Sequence, residues 1–120
     1  MTERTSNPEN ASGEGEGSPE RRVAQRHIIV ALADVTEIRS GERIMAQTTQ
    51  LSANGCYMGA MNTFAEGTEV RVKLSKGGQT FQTNGRVLNV HAEFGMGIVF
   101  ENTPAEQQRM LDGWLAETQR

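Results

Sequence analysis

Three arginines near the start of the chain could bind an anion. Three residues separate Arg22 from Arg26, and Arg21 directly precedes this pair. A guanidinium is a planar fork of donors that can bind phosphate through two hydrogen bonds and can stack on a flat base. Two of them on one short segment could therefore clamp a nucleotide. Taken alone, the same arginines could also be solvated charges beside a sheet.

A second group of polar residues lies in the segment Gln50-Leu51-Ser52-Ala53-Asn54-Gly55, between two predicted strands. The Ser52 hydroxyl and the exposed backbone N–H groups of a tight turn can bind an anion or the edge of a base. Gly55 allows a positive φ or the close approach of a ligand. Taken alone, Ser-x-x-Gly could equally be an ordinary hairpin turn.

The other reactive side chains form no catalytic or metal-binding pattern in the sequence. Cys56 has no histidine or acid near it, and we interpret it as a small buried hydrophobic residue. His27 and His91 lack the spacing of metal ligands, so we expect surface or packing roles. We therefore predict no enzyme activity, no catalytic residue, no metal site and no cofactor. Five methionines are expected to fill the core: Met45, Met58, Met61, Met96 and Met110.

The composition is that of one globular domain with an acidic N-terminal segment. The chain has 120 residues and a net charge of −3. Residues 1–20 hold five Glu, one Arg and almost nothing apolar, which predicts a disordered acidic tail before a domain over residues 21–120. That domain is nearly neutral, which disfavours binding to a nucleic-acid polymer. No membrane span or secretory signal is predicted, and the lone cysteine favours a cytoplasmic protein.

Apolar runs separated by glycine-containing turns predict six strands. Ile28–Val35 is a continuous apolar run, as expected for a strand buried on both faces. The run Phe81–Val90 changes phase near Gly85, which indicates a bulge or a bend. The cleanest alternation has Val70, Val72 and Leu74 on one face and Glu69, Arg71 and Lys73 on the other. The remaining strands are Arg43–Leu51, Cys56–Met61 and Met96–Phe100. Turns near residues 40–42, 52–55, 65–67 and 76–78 favour an antiparallel barrel or sandwich.

One helix is predicted after the strands. Thr103 is its expected N-cap, Pro104 its first residue, and Glu106 completes a capping box. An apolar stripe is expected to pack on an open end or seam of the barrel and consists of Met110, Leu111, Trp114 and Leu115.

The order of these motifs resembles the PilZ-domain family. The family's Arg-x-x-x-Arg matches Arg22 and Arg26, and its Asp/Asn-x-Ser-x-x-Gly matches the segment from Gln50 to Gly55. The resemblance continues through residues 55–58, 66–70, 85–87 and 95–100 and into the final helix. It implies an all-β fold with one C-terminal helix, a six-stranded antiparallel β-barrel that binds cyclic di-GMP without catalysis.

The predicted cyclic di-GMP site comprises Arg22, Arg26, Gln50, Ser52 and Gly55. Arg21 is added because its guanidinium could stack on the guanine of a second ligand molecule. Gln50 departs from the family's Asp or Asn: an amide accepts only one of the adjacent N–H donors of guanine well, whereas a carboxylate accepts both. Losing a charge-assisted hydrogen bond costs about 1 to 3 kcal/mol, or roughly tenfold to over a hundredfold in affinity.

Two functions are consistent with these residues. The first is a receptor that changes conformation on binding cyclic di-GMP and signals to a separate, unidentified protein. The second is a degenerate PilZ-like interaction module that binds the ligand weakly or not at all. Arg22 and Arg26 favour the first function, and Gln50 favours the second. Binding of single-stranded nucleic acid on a barrel face is a third function, which the lack of interleaved aromatic residues disfavours.

Overall fold

Six antiparallel strands close into a barrel, and one helix follows them. The structure, a computed structural model, describes residues 25–118. Its elements are β1 (Leu32–Glu37), β2 (Arg43–Ser52), β3 (Gly55–Gly59), β4 (Glu69–Lys76), β5 (Gln79–His91), β6 (Gly95–Glu101) and α1 (Ala105–Glu117). The order around the barrel is β1-β2-β3-β6-β5-β4. The predicted fold class is confirmed. The predicted tail over residues 1–20, with Arg21 and Arg22, lies outside the described residues.

The barrel interior is filled by alternate side chains of the strands. β4 has the predicted alternation: its three apolar side chains are fully buried, and Glu69, Arg71 and Lys73 between them are exposed. Turn glycines at the predicted positions connect the strands, and Gly41, Gly67, Gly77 and Gly78 have positive φ. One face of each strand therefore builds the core, and the other forms the outer surface of the barrel.

The first predicted strand is displaced, and only one of its faces is buried. β1 begins at Leu32 rather than at Ile28. The inward positions of the predicted strand Ile28–Val35 are Ile29, Ala31, Ala33 and Val35, which are buried. Its outward positions are Ile28, Val30 and Leu32, which are 86%, 59% and 61% exposed. The prediction of burial on both faces was wrong, because a barrel strand has one inner face and a continuous apolar run also places apolar side chains outside.

The methionines divide between the core and the surface. Met58 and Met96 are fully buried, as predicted, and Met110 packs against the core while partly buried. Met45 and Met61 are exposed, so the prediction for these two was wrong. Met45 takes an outward position of β2, and Met61 lies in the loop after β3.

Helix α1 packs its predicted stripe on the barrel but begins differently from the prediction. Leu111, Trp114 and Leu115 are buried, and the Trp114 ring lies 6.4 Å from that of Phe81 between centroids. The N-cap is Pro104, without a side-chain cap. The predicted capping box was wrong, because the Thr103 hydroxyl instead pairs with the Thr83 hydroxyl at 2.8 Å. Within the described residues, no helix has the length and apolar character of a membrane span.

Candidate functional site

A trough of about 760 Å³ lies on the outer face of the barrel over β3 and β6. β6 turns Met96 and Ile98 inward, so Gly95 and Gly97 take outward positions. Across the strands, Gln50 of β2 pairs with Tyr57 of β3, which pairs with Gly97. Because these glycines carry no side chain, the side chains of Tyr57 and Asn89 can lie over β6. The volume is in the range of small-molecule sites.

A β-bulge turns the motif residues of β2 towards the trough. Up to Thr48, the even-numbered residues of β2 face inward, and Thr48 is fully buried. The pairing with β3 shifts between Thr48 and Gln50, and Leu51 then takes the inward position. Gln50 and Ser52, on either side of Leu51, therefore face outward and line the trough. An extra residue that redirects side chains is a common use of a bulge beside a binding site.

A second bulge on the opposite side of the trough has the same effect in β5. The register between β5 and β6 shifts between Val87 and Asn89, so Asn89 pairs with outward-facing Gly97. The predicted position of this irregularity, Gly85, was wrong. Gly85 keeps regular pairs with Val70 of β4 and Phe100 of β6 and faces inward, where a Cβ would lie 2.9 Å from Cγ2 of Ile98. The phase change follows it at Leu88, whose side chain lines the trough.

Backbone hydrogen bonds hold Arg26 beside the motif turn. The His27 N–H donates to the Leu51 carbonyl at 2.8 Å, and the Leu51 N–H donates to the His27 carbonyl at 2.9 Å. Opposite residues of an antiparallel pair face the same side of the sheet, so Arg26 lies next to Ser52. The residues that follow Arg26 are held in place by the buried Thr48 of β2, since its hydroxyl donates to the Ile29 carbonyl at 2.7 Å. Arg26 is thus brought beside the Ser52 turn, whereas Arg21 and Arg22 lie outside the described residues.

The turn itself is shaped by Ser52 and by the approach of β6. Ser52 Oγ lies 3.1 Å from Asn54 Oδ1 and 3.3 Å from the Gly55 carbonyl oxygen, either of which can accept its proton. Gly55 does not have the positive φ that we considered. A Cβ there would lie 2.6 Å from the carbonyl oxygen of Ile98. Gly55 is therefore needed for the close packing of β3 against β6.

The electrostatics of the trough suit an anionic ligand. Within residues 25–118, Arg26 is the permanently charged side chain of its lining, and no carboxylate lines it. The nearby Arg86 is paired with Glu101 and Glu69 at 3.1 and 2.9 Å, and these bonds raise its pKa. Cys56 lies below the floor, where burial raises the pKa of its thiol to about 12. The thiol is therefore protonated and hydrophobic in character, as predicted for this residue.

A model of the PilZ domain family matches residues 20–117 of the sequence. The chain belongs to the PilZ domain family. The match includes every residue of the predicted site, and the PilZ motif residues Arg26, Gln50, Ser52 and Gly55 all line the trough. No curated protein sequence matches the chain.

Solved structures share this fold. The PilZ domain of CeSA from a cellulose-synthesizing bacterium has a TM-score of 0.64 at 12% identity, covering 81% of this chain and all of that one. The Bacillus subtilis inhibitor of motility, MotI/DgrA, gives 0.70 at 17% identity, covering 82% of this chain and 51% of that one. MrkH of K. pneumonia in its apo state has a TM-score of 0.64 at 16% identity, covering 88% of this chain and 53% of that one. The chain thus spans about half the length of MotI/DgrA and MrkH.

The far end of the PilZ trough holds side chains that the sequence analysis did not assign to the site. These are Tyr57, Leu88, Asn89 and His91. His91 was expected to have a surface or packing role, and its Nδ1 lies 2.9 Å from the Tyr57 hydroxyl. The pattern Gly95-x-Gly97 in the last strand was the available signal, because it places two glycines on the outer face between neighbouring side chains.

Proposed function

We propose that this PilZ domain is a cytoplasmic, non-enzymatic receptor for cyclic di-GMP that signals to a partner protein. The observation that carries the proposal is the pair of hydrogen bonds between His27 and Leu51, which sets Arg26 beside the motif turn at one end of the trough. Cyclic di-GMP has two phosphates and two guanines. Arginine binds both kinds of group, phosphate by its donors and guanine by stacking.

The segment that carries the arginines also supports a conformational response. Arg26 is exposed, and in the described part of this segment, from residue 25 onwards, the hydrogen bonds to Leu51 and Thr48 of β2 are made by His27, Ile29 and Ala31. We infer that a ligand held jointly by Arg22 and Arg26 fixes this segment against the barrel. The exposed apolar side chains of Ile28, Val30 and Leu32, which follow Arg26, would then form part of a surface for the partner, since such patches commonly mark interaction sites.

Calorimetric titration with cyclic di-GMP tests the receptor function. We expect Arg26→Ala to weaken binding by at least about tenfold, because a hydrogen bond to a charged group contributes about 1.5 to 3 kcal/mol. Arg71→Ala is the matched control, since it removes an exposed arginine from β4 that does not line the trough. Equal affinities of the two variants would contradict the assigned site.

The degenerate interaction module is the second candidate, and Gln50 favours it. Its amide stands in the trough opposite Tyr57, where the family has Asp or Asn. This function predicts no measurable heat of cyclic di-GMP binding in the unmodified protein at ligand concentrations that saturate a receptor.

A further inference from the structure

The ring of Tyr57 lies across β6 at the far end of the trough. A Cβ at Gly95 would lie 2.9 Å from Tyr57 Cε2 and 3.1 Å from its hydroxyl oxygen, so the glycine leaves the space that the ring occupies. The His91 ring is 5.7 Å away between centroids, inclined by 50°, and its Nδ1 shares a hydrogen bond with the Tyr57 hydroxyl. The phenol ring is therefore held in place on the surface, although it contributes nothing to the barrel core.

Asn89 lies against β6 in a similar way. A Cβ at Gly97 would lie 2.6 Å from Asn89 Oδ1 and 3.4 Å from its Cγ. Asparagine is depleted in β-strands. Asn89 nevertheless lies within β5, where the bulge at Leu88 turns its side chain to the outer face of the barrel. Its amide offers one acceptor and two donors beside the aromatic ring, with the exposed Leu88 as its neighbour.

We propose that this end of the trough binds the second guanine of cyclic di-GMP, with Tyr57 as the stacking surface and Asn89 as the hydrogen-bonding group. The inference rests on the proposed function. It assigns one phosphate and the first guanine of cyclic di-GMP to the end of the trough that holds Arg26 and Ser52. The second guanine then lies on the Tyr57 ring and the Asn89 amide, which themselves cover Gly95 and Gly97 of β6.

The chemistry of guanine matches these groups. Any base has a flat face that stacks on an aromatic ring, and such stacking is a principal contact in proteins that bind single-stranded nucleic acid. The Asn89 carbonyl can accept from the guanine N–H groups, and its amide can donate to O6 or N7. Tyr57 and Asn89 face each other across Gly97, so one base can contact both.

Three variants test the stacking contact by calorimetry with cyclic di-GMP. Tyr57→Ala is expected to weaken binding by about tenfold or more, since alanine substitution of a stacking residue has about this effect. Tyr57→Phe keeps the ring and loses only the bond to His91, so its affinity should stay within about threefold of the unmodified protein. Phe94→Ala removes an exposed aromatic ring outside the trough and should leave the affinity unchanged.

An NMR titration with GMP, which has one phosphate and one guanine, tests the two ends of the trough independently. Arg26→Ala should weaken binding of both GMP and cyclic di-GMP, whereas Tyr57→Ala should weaken only the latter. The chain has a single tyrosine, so a nuclear Overhauser effect from guanine H8 to tyrosine ring protons identifies Tyr57 without further assignment. Two results would overturn the inference. One is binding of cyclic di-GMP that depends on Arg26 but is unchanged in Tyr57→Ala, and the other is a loss of affinity in Tyr57→Ala that is as large for GMP as for cyclic di-GMP. A complete lack of cyclic di-GMP binding by the unmodified protein would instead overturn the proposed function and this inference with it.

Discussion

Replacing Gly55 by alanine tests whether this motif glycine serves the fold or the ligand. The new Cβ would lie 2.6 Å from the Ile98 carbonyl oxygen, whereas real Cβ contacts do not come below 3.0 Å. β3 and β6 must therefore separate by at least about 0.4 Å at a point where both are paired. Such overpacking costs about 1 to 3 kcal/mol, and each kcal/mol lowers Tm by about 4 to 8 °C in a domain of this size.

Thermal unfolding without ligand, followed by circular dichroism, measures the effect. Gly113→Ala is the control, because Gly113 lies within α1 and nothing approaches its added Cβ within 4 Å. Alanine should stabilise the helix there by about 0.5 to 1 kcal/mol, so Tm should rise. The two Gly→Ala changes are thus expected to have opposite signs. If Gly55→Ala leaves Tm within about 2 °C of the unmodified protein and weakens only ligand binding, our account of this glycine is wrong.

Three further predictions concern single residues of the site. Gln50→Asp should tighten cyclic di-GMP binding by about tenfold or more in calorimetry, because a carboxylate accepts two N–H groups of guanine; weaker binding with an intact fold would contradict this. Cys56 should resist thiol reagents at pH 8 until the protein unfolds, since a pKa of about 12 leaves on the order of 1 in 10,000 molecules as thiolate; rapid labelling of the folded protein would refute its burial. Arg21→Ala should reduce the calorimetric stoichiometry from two ligands towards one, and a ratio of one in the unmodified protein would exclude a second ligand on Arg21.

Period-2 alternation predicted the strands well where one face is charged. In β4 the charged and apolar faces are unambiguous, and the structure agrees residue by residue. The predicted strand Ile28–Val35 lacks this contrast, because its outward positions at Ile28, Val30 and Leu32 are apolar too. Hydrophobicity alone cannot distinguish an inner face from an outer face that is apolar for another reason, such as binding a partner.

The two bulges that build the trough could not be located from the sequence. The residues at the bulges, Thr49 and Leu88, are ordinary strand residues, whereas the irregularity was expected at Gly85. A bulge depends on how one strand pairs with its neighbour, so the sequence of a single strand does not reveal it. The same holds for Thr103, whose hydroxyl pairs with Thr83 on another strand instead of capping the adjacent helix.

The interval between the arginines and the Ser-x-x-Gly turn, in contrast, has a direct structural reason. β1 and β2 form one hairpin, in which Leu32 pairs with Gln47. Continuing that register past the start of β1 brings residue 27 beside residue 52, one position from its observed partner Leu51. The length of this hairpin therefore determines whether Arg26 reaches the turn. Because side chains alternate with a period of two, one residue inserted in either strand would turn a core side chain into the trough and a motif side chain into the core.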